Sequence, residues 1–125
     1  MFDFEAMVAR EAHEAGMRAG QARTPSPIMV GSAVGLSSEI DPSKPTYYVP
    51  EGVCGFAWVT IKPATTRFAK WMKSVGRARP AYGGGLQVWV SEFGQSMERK
   101  EAYARAYAEV LTQYGFKAYA GSRMD

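Results

Sequence analysis

A single two-layer domain of the α/β or α+β class, with one mixed sheet of about four to five strands and three helices, is the fold the sequence predicts. Three observations carry this. Apolar residues recur at helical spacing near residues 3–22, 65–75 and 97–114. Short β-rich runs lie between and after them, at 28–34, 47–49, 54–61, 86–91 and 116–120. The order α-β-β-β-α-β-α-β in 125 residues suits one sheet covered by helices, so residues 1–125 are read as one domain.

The first helix spans residues 3–22, with Asp3 as N-cap. Phe4, Met7, Val8, Ala12, Ala15 and Ala19 form its apolar stripe, which narrows towards alanine. Gly16 and Gly20 lower helix propensity by about 1 kcal/mol each relative to alanine, so this helix depends on packing. A homo-oligomer, most simply a dimer, is therefore expected, with residues 1–23 or an edge strand as the oligomerisation element. Thr24-Pro25-Ser26-Pro27 ends the helix. Residues 35–45 read as a polar surface loop, and Glu51-Gly52 as a turn.

Cys54–Ile61 is the clearest strand. Cys54, Phe56, Trp58 and Thr60 alternate with Gly55, Ala57, Val59 and Ile61, and both sets are largely apolar, which predicts a central strand covered on both sides. Thr65 or Thr66 caps a second helix with Phe68, Trp71, Met72 and Val75 inward, closed by Gly76. Residues 76–85 read as a basic, glycine-rich loop. Leu86–Ser91 is a strand with Leu86, Val88 and Val90 on one face and Trp89 on the other. Trp89 is thus the best candidate for an exposed stacking aromatic. Ser96 caps the longest helix, Gly115 ends it, a last strand covers 116–120, and 121–125 reads as a polar tail.

The net charge is +3, unevenly spread. Residues 1–61 hold four basic and seven acidic residues; residues 62–105 hold nine basic and three acidic. A positive segment of this kind attracts phosphates, nucleotides or an acidic surface. Binding to nucleic acid is expected to be weak, non-specific and salt-sensitive at most. No apolar run approaches the ~20 residues of a membrane span. The one cysteine and the absence of a basic, apolar leader predict a cytoplasmic protein.

Catalytic sets are sparse. His13, the only histidine, reads as an exposed helix residue between Glu11 and Glu14. Cys54 leads an apolar strand and reads as a buried, inert thiol. No spaced acidic cluster predicts a metal, no phosphate loop or dinucleotide fingerprint predicts a cofactor, and nothing singles out Glu92 with Glu98 as an acid/base pair. The sequence therefore predicts neither an enzyme nor a cofactor. Two places predict an anion site instead. Arg77, Arg79 and Tyr82 sit in the glycine-rich loop, where arginine forks suit phosphate and tyrosine can stack on a base. Ser96, Arg99 and Lys100 open the long helix, where cations oppose the helix dipole unless an anion is present.

The run Gly52-Val53-Cys54-Gly55-Phe56-Ala57-Trp58-Val59, then Phe68-Ala69-Lys70-Trp71, then Gly94-Gln95-Ser96-Met97-Glu98-Arg99-Lys100-Glu101-Ala102-Tyr103-Ala104-Arg105-Ala106, and the ending Ala118-Tyr119-Ala120-Gly121-Ser122-Arg123-Met124-Asp125, resemble a group of small bacteriophage and prophage proteins. The resemblance covers most of residues 14–125 and brings no binding residues with it. It implies a non-enzymatic accessory role such as inhibition of host defence, sequestration of a nucleotide signal or virion assembly. Together with the charge pattern, the expectation is a binder of an anionic, nucleotide-like small molecule. The alternatives are an inhibitor that docks on a host defence or nucleic-acid-handling protein, and an assembly or decoration protein.

Overall fold

The structure is a computed structural model and describes residues 2–31, 43–44 and 46–125. It is an α+β domain with three helices and two sheets. In chain order these are α1 (Asp3–Ala22), β1 (Ile28–Gly31), β2 (Thr46–Val49), β3 (Gly55–Lys62), α2 (Arg67–Ser74), β4 (Arg79–Pro80), β5 (Leu86–Trp89), α3 (Met97–Gln113) and β6 (Lys117–Met124). β1 and β2 pair as a separate ribbon, and the main sheet has the order β4-β5-β3-β6. Every pairing is antiparallel, so the sheet is not mixed. Most of the predicted 35–45 loop lies outside the described residues.

Local chemistry accounts for most boundaries. The Thr66 hydroxyl accepts from Ala69 N–H at the start of α2, and Ser96 does the same for Arg99 at the start of α3. Asp3, predicted as a cap, is instead the first residue of α1; Phe2 precedes it and gives no side-chain cap.

The largest departures from the predicted boundaries are three. β5 ends at Trp89, short of the expected Ser91. β6 runs to Met124 through the segment read as a tail, because all eight of its residues pair with β3. Arg79–Pro80, inside the predicted loop, forms a short edge strand on Gln87 and Leu86.

One core joins α1, α2 and α3 to the inner face of the sheet. Ala57, Val59 and Ile61 from β3 meet Leu86, Val88 and Val90, with Phe68 and Met72 from α2 and Tyr103, Tyr107 and Leu111 from α3. α1 packs chiefly on α3. Its buried face is Glu5, Val8, Ala9, Ala12, Gly16 and Gly20. Phe4 and Met7, expected in the stripe, are exposed.

The shift has a steric cause. A Cβ at Gly16 would stand 2.6 Å from the Tyr103 ring, and one at Gly20 only 2.3 Å from the Phe93 ring. The helix turns its glycines, not its larger apolar residues, towards two aromatic side chains. The small-residue stripe expected to meet a second copy is thus occupied within the chain.

The N-terminal segment is also tied to α3. The Glu98 carboxylate accepts from Ser26 N–H at 3.0 Å and Arg23 at 3.1 Å. The Ser26 amide foremost, and Arg23 with it, hold Glu98 below the usual carboxylate value of 4.5. A lowered carboxyl contributes stability above its unfolded value and loses it as pH falls. The difference in Tm between the wild type and Glu98→Gln is therefore expected to be constant around neutral pH and to shrink below about pH 4.5. A difference that instead grows on acidification would show that Glu98 does not act through this ion pair.

Candidate anion and ring-binding surface

Among the described residues, the sheet is covered on one side only. Alternation along β3 turns Gly55, Ala57, Val59 and Ile61 into the core and leaves Phe56, Trp58 and Thr60 half-buried on the outer face. This corrects the expectation of a strand covered on both sides. The run is apolar throughout because its outward residues are aromatic and pack on one another rather than under a layer.

Directly paired residues share a face, so the register specifies that surface. Trp58 lies between Trp89 and Gly121; Thr60 lies between Gln87 and Tyr119, with Arg79 beyond Gln87. Phe56 is opposite Arg123, and Lys62 opposite Lys117. The outward strand positions therefore carry four cations and no carboxylate.

The aromatic residues are held in defined poses. Trp58 and Trp89 have ring centroids 4.9 Å apart, and Phe56 meets Trp89 edge-on at 6.1 Å. The Trp58 indole lies over Gly121, where a Cβ would be 2.6 Å from Nε1, so that glycine admits the ring. Trp89 Nε1–H donates to Gln87 Oε1 at 3.2 Å, which orients its indole. The Arg79 guanidinium sits 5.2 Å from the Trp89 ring centroid, and Arg123 sits 5.4 Å from that of Phe56.

Two depressions open beside Trp89. A groove of about 280 Å³ is lined by Gly76, Arg77, Ala78, Arg79, Gln87 and Trp89. A deeper cleft of about 400 Å³ shares Gly76, Arg77 and Trp89 with it and adds Val88, Ser91, Glu92, His13, Tyr103 and Tyr107. β4 pairs only with Leu86 and Gln87, and the cleft opens beside β5 beyond the end of that short edge strand.

Inside the cleft, His13 Nδ1 and the Tyr103 hydroxyl are 2.6 Å apart, and Glu92 Oε2 is 3.8 Å from the same nitrogen. Burial raises the pKa values of both phenols, that of Tyr107 to about 12, so both are protonated at neutral pH. Phe93, next to Glu92, has φ 68°, an unusual conformation for a bulky residue. Its ring is seated on Gly20 of α1.

The six predicted site residues divide. Arg77 and Arg79 line the groove. Tyr82 is fully exposed at the loop tip and lines neither depression.

Ser96 and Lys100 are hydrogen-bonded within the chain, and Arg99 is paired by charge alone. The Ser96 hydroxyl is 2% exposed and donates to the Glu51 carbonyl at 3.0 Å. Lys100 is 6% exposed; its Nζ donates to the Gly55 carbonyl at 3.3 Å and lies 5.6 Å from the Phe56 ring centroid. Arg99 Nε is 3.2 Å from the Glu51 carboxylate, close enough for charge pairing though not aligned for a hydrogen bond. The negative charge expected from a ligand at this helix start comes from Glu51 and Glu98.

The two predicted groups are also far apart. Ser96 bridges Cys54, which is exposed rather than buried as expected, at one end of β3, whereas Arg79 belongs to the Thr60 row. Six residues of strand separate these rows by about 20 Å. Glu92 and Glu98 likewise belong to different neighbourhoods, the first in the cleft and the second beside Arg23.

Sequence reasoning missed the cleft. It read His13 as an exposed helix residue; the side chain is 43% exposed, but it faces Tyr103 and Glu92 in the cleft. One local signal was available: His13, Gly16 and Gly20 fall on one side of α1, a polar residue beside two positions open enough for a ring.

Among the described residues, no helix is long and apolar enough to cross a membrane, and no three His, Cys, Asp or Glu residues are grouped to hold a metal ion. Comparison of the chain with protein-family models, curated proteins and solved structures finds no match.

Proposed function

We propose that the protein binds a nucleotide-like anion without transforming it, with the ring of the ligand over Trp89 and its phosphate on Arg77 and Arg79. The observation that carries this reading is the Arg79 guanidinium over Trp89, beside Trp58, on a sheet face whose strand positions hold no carboxylate. Indole faces favour flat, electron-poor rings, and arginine forks favour phosphate oxygens. Neither Arg77 nor Arg79 has an ion pair with the described residues, so both guanidinium groups have donors to offer. A second copy stacked on the same face would bring like charges together, which disfavours self-association there.

In the phage setting that the sequence resemblance implies, such a protein would sequester a nucleotide signal of host defence. Calorimetry and tryptophan fluorescence with a panel of mono-, di- and cyclic nucleotides test the reading. Saturable quenching with a matching heat is expected for at least one class. A panel that gives neither signal would exclude nucleotide binding and favour a protein partner for the cationic face.

A further inference from the structure

We propose that the ligand is a free ribonucleotide, and that the cleft beside Trp89 reads its sugar hydroxyls through Glu92 and Tyr107. This inference rests on the nucleotide reading above and assigns the substrate class of the same site. The cleft and the groove share Gly76, Arg77 and Trp89, so they adjoin beside β5. In a nucleotide the sugar joins the ring to the phosphate. A ring on Trp89 and a phosphate at Arg77 and Arg79 therefore leave the sugar over the shared stretch, with its hydroxyls directed into the cleft.

The groups waiting there suit a vicinal diol. Glu92 Oε1 accepts from Ser91 N–H at 3.1 Å and the Ser91 hydroxyl at 3.4 Å, which holds the carboxylate in place. Its Oε2 has no hydrogen bond among the described residues, where its ion-pair contact is His13 Nδ1 at 3.8 Å. The Tyr107 hydroxyl, protonated at neutral pH, also has no hydrogen-bond partner among the described residues. One group accepts and the other donates, and a hydroxyl can do both. Carboxylates are well suited to ribose hydroxyls for this reason.

The remaining groups fix the walls. His13 is engaged by Tyr103, whose ring rests on Gly16, and the strained Phe93 clamps the Glu92 turn against Gly20. Such a cleft holds its acceptor in position before the ligand arrives. A 2′-deoxy sugar would leave that acceptor without its partner, which is how sites that read a hydroxyl reject analogues lacking it. A residue inside a nucleic acid strand has its 3′ oxygen esterified and offers no diol, so the site suits a free nucleotide rather than a strand.

Matched pairs of ribo-, 2′-deoxy- and 3′-deoxynucleoside 5′-monophosphates, titrated by calorimetry into the full chain, test this. The ribonucleotide is expected to bind about tenfold or more tightly than either deoxy form, in line with a hydrogen bond to a charged group. Glu92→Gln keeps an acceptor for Ser91 and is expected to shrink that ratio below about threefold. Tyr107→Phe, with folding checked by circular dichroism, is expected to weaken the ribonucleotide selectively. Equal affinities in the wild type would overturn the inference and leave the nucleotide reading intact. A ratio unchanged in Glu92→Gln would remove the sugar from this cleft. Tighter binding of a 3′-phosphorylated oligoribonucleotide than of any monomer would replace the free ligand with a strand. Binding of no nucleotide at all would overturn both readings together.

Discussion

Replacing Phe68 with alanine is expected to lower folding stability by about 3–5 kcal/mol, the range for removing a buried aromatic ring. Phe68 is 2% exposed and stacks on Phe116 at 4.8 Å, with Trp71 at 6.5 Å on its own helix. α2 has only eight residues, too few to be stable alone, so it depends on this contact. Phe116 stands at the entry to β6, so the same ring joins α2 to the edge of the sheet. Few small domains have stability to spare at this scale, and the variant should be close to unfolded at 37 °C. Urea denaturation monitored by tryptophan fluorescence gives the value. Phe68→Leu keeps most of the volume and is expected to cost less than half as much. A loss below about 1 kcal/mol for the alanine variant would mean that α2 is not anchored by Phe68.

The largest effects on binding are expected at Trp89 and Arg79. Trp89→Ala removes the stacking platform and is expected to weaken nucleotide binding by about 10- to 100-fold, given about 1–3 kcal/mol per stacked ring. Arg79→Ala removes a charged donor and should cost a similar factor, since hydrogen bonds to charged groups contribute about 1.5–3 kcal/mol. The two effects are not independent. Arg79 lies over Trp89 at 5.2 Å, so removing either disturbs the other, and the double variant is expected to lose less than the product of the single losses. Arg79 is exposed on a two-residue edge strand, so its removal should change stability by no more than about 0.5 kcal/mol. A full double-mutant cycle by calorimetry, with urea melts beside it, reads all of this. Strictly additive losses would separate the arginine from the ring, and unaffected binding in both single variants would move the ligand off this face.

The cationic groups that remain after folding differ from those that the sequence displays. Lys100 and Arg99 look free in a list of residues, and Arg77 and Arg79 look no different from them. Folding brings Glu51 and the Gly55 carbonyl to the first pair and leaves the second pair beside an indole. Trp89 was legible as an outward aromatic because strand alternation is local. Trp58 was not, because its neighbours on both faces are apolar and only the absence of a covering layer among the described residues distinguishes them.

The sequence by itself determined the elements that local rules govern. Periodicity placed three helices and the central strand, Thr66 and Ser96 capped two of the helices, and Gly76 and Gly115, both at positive φ, ended them. It also determined that residues 62–105 carry the excess positive charge. The tertiary structure decided which of those charges are satisfied, which face of the sheet stays open, and that His13, Glu92, Tyr103 and Tyr107 line one cleft. The physical reason is separation along the chain. Ser96 meets Glu51, and Lys100 meets Gly55, across 45 residues; Arg23 meets Glu98 across 75; His13 meets Tyr103 across 90. Helical and strand periods are set by neighbours a few residues apart, so contacts at such distances leave no periodic trace and exist only once the layers have packed.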